Sequence, residues 1–206
     1  MAAILAKKLG MTQRFLDDGR VERVTVLEAG PCPVTAIRTL ERDGYEAVQL
    51  AFGPVKEKSI TKAELGHLKK ADAGAMRTVR EFRDEVGELL MGQTVTVEAF
   101  APGDKIKISG ISKGKGFQGT IKRHNFGRGP KTHGSHNVRA PGSIGASATP
   151  SRVFKGIRGP GRMGGGRITQ RGLTVVEVMA DDNLMLVRGA VPGPRGGVVE
   201  VRTDAR

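Results

Sequence analysis

The sequence predicts a mainly β protein with a small α+β portion: a β-rich body, in the form of a small barrel, that carries a long basic internal loop. Two observations lead to this fold class. Short runs that alternate β-branched and polar residues occur near both ends of the chain, between Gly- and Pro-rich turns. Between these runs, the basic segment (residues 112–172) holds fifteen glycines, thirteen Lys and Arg, and no Asp or Glu.

Most predicted elements of the body precede the basic segment. A capping-box pattern, Thr61 followed by Glu64, predicts the start of a helix. We therefore expect a body made of residues 1–111 and 173–206, with a small helical insertion near 61–91 and the extended loop at 112–172. The predicted strands of the amino-terminal part are 21–27, 34–40, 47–52, 94–97 and 105–109.

The carboxyl-terminal part repeats the strand pattern. The runs LTVVEVM (173–179) and LMLV (184–187) flank the turn ADDN and predict a hairpin, and 198–201 predicts a last short strand. Strand patterns occur on both sides of the basic segment. The simplest arrangement is therefore one sheet, to which the carboxyl-terminal strands add the last members. The basic segment is then an insertion tethered at both ends.

The charge of the chain lies in the basic segment. The formal net charge is +13, and outside this segment Lys and Arg equal Asp and Glu in number. Such an imbalance favours a polyanionic partner. The chain has no apolar run of about 18 residues and no secretory signal pattern at MAAILAKKLG, so a cytoplasmic protein is expected. Cys32 is the single cysteine and is interpreted as an ordinary buried or loop thiol.

The run GKGFQG (114–119) matches the glycine pattern of a dinucleotide-binding turn. That turn needs an acidic residue about 20 positions later, and here the next carboxylate is Glu177. Glycine also lets a backbone pass close to phosphates, which is the interpretation favoured here. The candidates for close backbone approach are Gly114, Gly116, Gly119, Gly164, Gly165 and Gly166.

Cationic side chains of the basic segment are the candidate RNA contacts, because they neutralise phosphates. Three histidines could contact phosphates, sugars or bases; the sequence predicts no metal or other cofactor, since no cysteine or carboxylate lies near them. Three phenylalanines, Phe117, Phe126 and Phe154, could either stack on unpaired bases or anchor the segment. The basic and histidine candidates are Lys113, Lys115, Lys122, Arg123, His124, Arg128, Lys131, His133, His136, Arg139, Arg152, Lys155, Arg158, Arg162, Arg167 and Arg171.

The glycine-broken basic segment favours RNA over DNA. It matches no helix-turn-helix, zinc finger or basic zipper, whereas folded RNA offers deep crevices lined by phosphates and 2′-hydroxyls. Two alternatives from other classes remain open: an RNA-modifying enzyme with a basic substrate arm, and a DNA-compacting protein. The first would need converging titratable residues in the body, for which no motif is present.

Three long runs carry a family resemblance: FAPGDKIKISGISKGKGFQGTIKRHNF (100–126), GPKTHGSHNVRAPGSIG (129–145) and TPSRVFKGIRGPGRMGGGRIT (149–169). Together with KKLGMTQRF (7–15) and NLMLVRGAVPGPRGG (183–197), they resemble the bacterial large-subunit ribosomal protein L3 family over essentially the whole chain. Ala148 departs from the pattern, because many relatives have there a glutamine that is methylated in some.

This resemblance implies a fold and a function. It implies a translation-protein-type β-barrel body, and a basic segment that enters large-subunit ribosomal RNA toward the peptidyl transferase centre, with its tip near Pro141–Ser151. It also implies a structural role in the ribosome, not an enzyme, with an early part in subunit assembly. The implied neighbours are ribosomal proteins L14 and L19, and no membrane or small-molecule substrate is expected.

Overall fold

The computed structural model describes residues 2–16, 19–83 and 89–204. They divide into two compact units. The body comprises residues up to 112 and from 167 onward, and the insertion comprises Lys113–Gly166. Within the described residues the strands are β1 Ala3–Phe15, β2 Val21–Ala29, β3 Cys32–Arg38, β4 Ala47–Pro54, β5 Met76–Phe82, β6 Thr94–Val95, β7 Lys105–Ile111, β8 Phe117–Gln118, β9 Gly161–Arg162, β10 Arg167–Met179, β11 Leu184–Arg188 and β12 Val198–Thr203, and the helices are α1 Leu40–Asp43, α2 Lys62–Lys69 and α3 Thr120–His124.

A closed six-stranded barrel forms the centre of the body. Its strand order is β1-β12-β7-β10-β11-β2, and each neighbouring pair is antiparallel. Strands from both ends of the chain therefore alternate around it. Closure leaves the barrel with no open strand edge. This confirms the mainly β fold class and the completion of the sheet by carboxyl-terminal strands.

A second sheet, with the order β5-β4-β3-β6, carries the remaining strands of the body. Helix α2 packs against it through Leu68, which is 1% exposed and belongs to one hydrophobic cluster with Ala51 on β4. The helix begins with the predicted capping box, in which the Glu64 amide donates to Thr61 Oγ1 at 3.3 Å and the Thr61 amide donates to Glu64 Oε2 at 3.0 Å. These bonds satisfy amides that an uncapped helix leaves without partners.

One hydrophobic core joins the barrel and the second sheet. Ile4, Ile106 and Met185 from the barrel and Leu50 and Phe82 from the sheet all belong to it, each at most 2% exposed. Burying this much apolar surface is the main favourable term in folding the body. Cys32 lies in the same core, which agrees with its interpretation as a buried thiol. Burial raises the pKa of this thiol to about 12.

Several element boundaries differ from those predicted. The strand expected at 34–40 is β3, which ends at Arg38 because α1 follows, and the strand expected at 94–97 is reduced to β6 by a 3₁₀ turn at Val97–Ala99. Within the helical insertion predicted at 61–91, α2 is the helix and β5 is a strand; residues 84–88 lie outside the described residues. The predicted hairpin of β10 and β11 is present.

The body also includes residues 167–172, which were predicted to belong to the basic segment. Arg167–Gln170 pairs with Ile108–Ile111 of β7, so this stretch extends a barrel strand.

Across the described residues, no helix is long and apolar enough to span a membrane.

Candidate nucleic-acid interface

The insertion concentrates positive charge on its surface. It contains eleven Lys and Arg and no Asp or Glu, and ten of the eleven are exposed, Arg123 being half-buried. Within the described part of the chain, none of these eleven side chains forms an ion pair with a carboxylate. Such a surface repels itself unless an external anion neutralises it.

A short antiparallel ribbon orders the two ends of the insertion. Strand β8 pairs with β9, with Phe117 opposite Arg162 and Gln118 opposite Gly161. Two further backbone hydrogen bonds extend the ribbon, from the Lys115 amide to the Met163 carbonyl at 2.8 Å and from the Met163 amide to the Gly116 carbonyl at 2.9 Å. The two ends of the insertion are therefore held together by hydrogen bonds within the insertion itself.

Two of the predicted RNA contacts, Arg123 and His124, make hydrogen bonds inside the insertion. Both lie at the end of α3 and both reach the carbonyl of Gly159, from Arg123 Nη1 at 2.8 Å and from His124 Nε2 at 3.0 Å. The His124 bond requires a proton on Nε2, because the carbonyl oxygen can only accept. These side chains join parts of the insertion about 35 residues apart in sequence.

Arg167 and Arg171 differ from the other eleven cations because both have counter-ions in the body. Arg167 pairs with Glu200, and Arg171 Nη2 lies 2.8 Å from Asp204 Oδ1. The hydrogen bond from Arg171 holds the pKa of the Asp204 carboxyl below its usual range, against a smaller opposing effect of burial. The sequence could not show these pairs, because the carboxylates lie about 33 positions away.

The six glycine candidates fall into two groups. A Cβ at Gly164 would clash with the Lys113 carbonyl oxygen, and one at Gly165 would lie 2.9 Å from the Arg162 guanidinium, so these two glycines allow close approach within the insertion. Gly164 also has a positive φ of 71°, which side chains disfavour. Gly114, Gly116, Gly119 and Gly166 face open space, where a Cβ would meet nothing within 4 Å.

The three histidines of the insertion do not share a site. His133 and His136 are exposed, whereas His124 is half-buried against Gly159. Among the described residues, no group of three His, Cys, Asp or Glu side chains is placed to hold a metal ion. The candidate interface therefore consists of cations, exposed polar groups and glycine backbone.

Among the described residues, those in the middle of the insertion form few hydrogen bonds with one another. The Gly129 amide donates to the Val138 carbonyl at 3.1 Å, which closes one loop. Residues 142–147 and 151–153 line an open depression of about 440 Å³ whose one charged side chain is Arg152. This depression overlaps the region Pro141–Ser151 that the resemblance implies to be the tip, and Ala148 lies between its two lining segments in sequence.

Comparison with known proteins decides the family. A family model described as ribosomal protein L3 matches residues 53–184. The chain is 52% identical over 205 residues to large ribosomal subunit protein uL3 of Acidothermus cellulolyticus, covering 98% of this chain and 92% of that protein. The chain belongs to the ribosomal protein L3 family. It is also 48% identical over 204 residues to large ribosomal subunit protein uL3 of a Synechococcus species, covering 98% of this chain and 95% of that protein.

Membership of the L3 family confirms the resemblance drawn from the sequence runs. The relatives are named as ribosomal proteins and not as enzymes. The individual RNA-contacting residues stay predictions.

Proposed function

We propose that this chain is a structural constituent of the large ribosomal subunit that binds large-subunit ribosomal RNA through its insertion. One observation carries the proposal: eleven cations without a carboxylate partner in the described residues project from a unit with no acidic residue. RNA phosphates supply the counter-ions that the insertion lacks. Binding is then driven largely by release of the cations condensed on the RNA.

Membership of the L3 family supports three further parts of the proposal. The insertion points toward the peptidyl transferase centre of the cytoplasmic ribosome. The protein also takes part in early subunit assembly, and its neighbours are ribosomal proteins L14 and L19. Near that centre the protein would shape RNA and supply no acid or base. Nucleotide-resolution crosslinking of the intact protein in ribosomes tests this placement. Crosslinks confined to RNA outside the large subunit would overturn it.

Salt dependence tests the RNA-binding part directly. If about 6 to 10 cations meet phosphates, affinity for a large-subunit ribosomal RNA fragment should fall about 10³- to 10⁵-fold between 50 and 200 mM salt. Filter binding at several salt concentrations measures this slope. Salt-independent binding would contradict the proposal. Tighter binding to duplex DNA of equal phosphate number would instead favour the DNA-compacting alternative.

A matched pair of variants locates the residues that meet phosphates. Lys113, Lys115 and Lys122 are exposed on the insertion; Lys56, Lys58 and Lys62 are exposed on the body. Changing the first three to Gln should weaken binding and lower the salt slope by about 0.7 to 0.9 for each phosphate that the variant no longer neutralises. The same change in the second set removes equal charge and should leave the slope unaltered. Equal weakening by both sets would mean that net charge, not the insertion, governs binding.

A further inference from the structure

Phe117 has the most exposed of the large apolar side chains in the described residues, at 77%. It lies in the insertion, among cations, where its exposure gives it no part in a hydrophobic core. The other two phenylalanines of the insertion are more covered. Arg152 lies over the Phe154 ring, with its guanidinium carbon 5.2 Å from the ring centre, and Phe126 is half-buried, 6.2 Å from the His124 ring.

The backbone that carries Phe117 is held on both sides. Strand pairing fixes Phe117 against Arg162, and the hydrogen bonds between Lys115, Gly116 and Met163 fix the residues before it. After it, α3 begins with Thr120, which is 4% exposed. The ring therefore stands on a preorganised ribbon, so little conformational entropy is lost when it binds a partner.

The neighbour of Phe117 is suited to a nucleotide. Directly opposed residues of an antiparallel pair have Cβ atoms about 4.5 to 5.5 Å apart on the same face. Arg162 is exposed, and its guanidinium extends over Gly165, whose absent side chain leaves it room. An outward aromatic face beside a cation can stack on a base while the cation neutralises the adjoining phosphate.

We propose that Phe117 and Arg162 form a stacking site for one unpaired nucleotide of RNA. The inference rests on the proposed RNA binding and adds what the charges alone do not supply: a preference for a base that lies outside a duplex. Paired bases are stacked inside a helix and cannot cover the ring, whereas splayed bases of loops and bulges can. The site is sequence-tolerant, because every base has a flat face.

Variants of the intact protein test this site. The probes are a 12-nucleotide oligouridylate and an RNA duplex with the same number of phosphates. Both Phe117→Ala and Phe117→Leu should weaken oligouridylate binding about 5- to 150-fold and leave duplex binding unchanged, since a leucine keeps apolar area but has no ring. Phe117→Trp should retain affinity. Because the chain has no other tryptophan, the fluorescence of the introduced tryptophan reports stacking directly and should be quenched by oligouridylate.

The control is Phe15→Ala, which removes a ring of similar exposure, 68%, from the body. It should leave both affinities unchanged. Unaltered oligouridylate binding by Phe117→Ala, an equal loss for both probes, or an equal effect of Phe15→Ala would overturn the stacking site while leaving the proposed RNA binding intact. If the wild-type protein binds neither probe, RNA binding itself fails, and the stacking site with it.

Discussion

At the scale of single residues, Lys8 shows how a cation can serve the fold. It is 8% exposed, and its Nζ donates to the carbonyl of Val191 at 2.7 Å and to that of Gly193 at 3.3 Å. Its backbone bonds to the same loop, 189–197, through Gly196 and Gly197. Lys8 therefore fixes the connection between β11 and β12 onto β1. Composition alone would have assigned this lysine to the surface.

Replacing Lys8 with methionine should destabilise the body. Methionine keeps the aliphatic stem but leaves the buried Val191 carbonyl without this donor, so the free energy of unfolding should fall by about 1 to 3 kcal/mol. Urea denaturation followed by circular dichroism measures the change. The control is Lys7→Met, because the Lys7 side chain is 46% exposed and its 3.4 Å pair with Glu28 is a surface pair, worth about 0 to 1 kcal/mol. Equal losses of stability in the two variants would contradict this role.

The sequence located the candidate cations but not their partners. Their surplus was visible because counting charge needs no coordinates. That Arg167 and Arg171 face Glu200 and Asp204 depends on the registers of β10 and β12 about β7, which bring distant residues together. Likewise, no local pattern marks the carbonyl of Gly159 as the shared acceptor for two side chains of α3.

At the scale of elements, Glu81 on β5 forms hydrogen bonds with β3, with β4 and with the turn before β4. It accepts from Arg38 Nε at 3.3 Å, Gln49 Nε2 at 3.1 Å and Tyr45 Oη at 3.0 Å. Burial raises the pKa of the Glu81 carboxyl, but the hydrogen bonds from Tyr45, Arg38 and Gln49 outweigh it and hold the pKa below the usual 4.5. The ionised form is thus the one that the folded sheet favours.

Lowering the pH should weaken the hydrogen bonds that the Glu81 carboxylate accepts. Because the pKa of Glu81 is lower in the folded than in the unfolded chain, its stabilisation is present above the usual value of 4.5 and is lost as pH falls through the folded value. Glu81→Gln should therefore lower the free energy of unfolding at pH 7, and the difference from wild type should shrink as the pH falls below the usual value of 4.5. Urea denaturation at each pH measures this difference in the free energy of unfolding. Glu57→Gln, an exposed change on the same body, is the control; a pH-independent difference for Glu81→Gln would refute the ionic contribution.

Clear alternation predicted most of its strands correctly, although 94–97 is a strand only at Thr94–Val95. Strands in which polar residues interrupt the alternation were missed. The run VERVTVL alternates and lies in β2. Strand β1 contains Lys7, Lys8 and Gly10, and a register shift between Lys8 and Gly10 breaks its period. Strand β5 carries Arg77 and Arg80 exposed at the edge of its sheet, so its apolar residues are too sparse to suggest a strand. In both, tertiary pairing overrides a weak local pattern.

At the scale of the whole molecule, stability and charge are assigned to different units. All 21 Asp and Glu lie outside the insertion, in the unit with the hydrophobic core. Among the described residues, no residue of the insertion belongs to a hydrophobic core, and the insertion contains no carboxylate. The body has a formal charge of only +2, from 23 Lys and Arg against 21 Asp and Glu, so it can carry a charged unit without distributing that unit's repulsion through the core. The sequence count predicted this division, while its carboxyl-terminal boundary depended on the pairing of β10 with β7.

The pairing of β7 with β10 indicates where the insertion can be removed. Ile111 and Arg167 are direct partners in antiparallel strands, so replacing residues 112–166 with Asn-Gly should convert β7 and β10 into a simple hairpin. The shortened chain should unfold cooperatively in circular dichroism melts and lose its salt-dependent affinity for ribosomal RNA. A control excision of 112–172 also removes Arg167 and Arg171, with their ion pairs and six residues of β10, and should melt at a lower temperature. Non-cooperative melting of the first variant would mean that the body depends on the insertion for its fold. Equal melting temperatures would instead place residues 167–172 outside the stabilising part of the barrel.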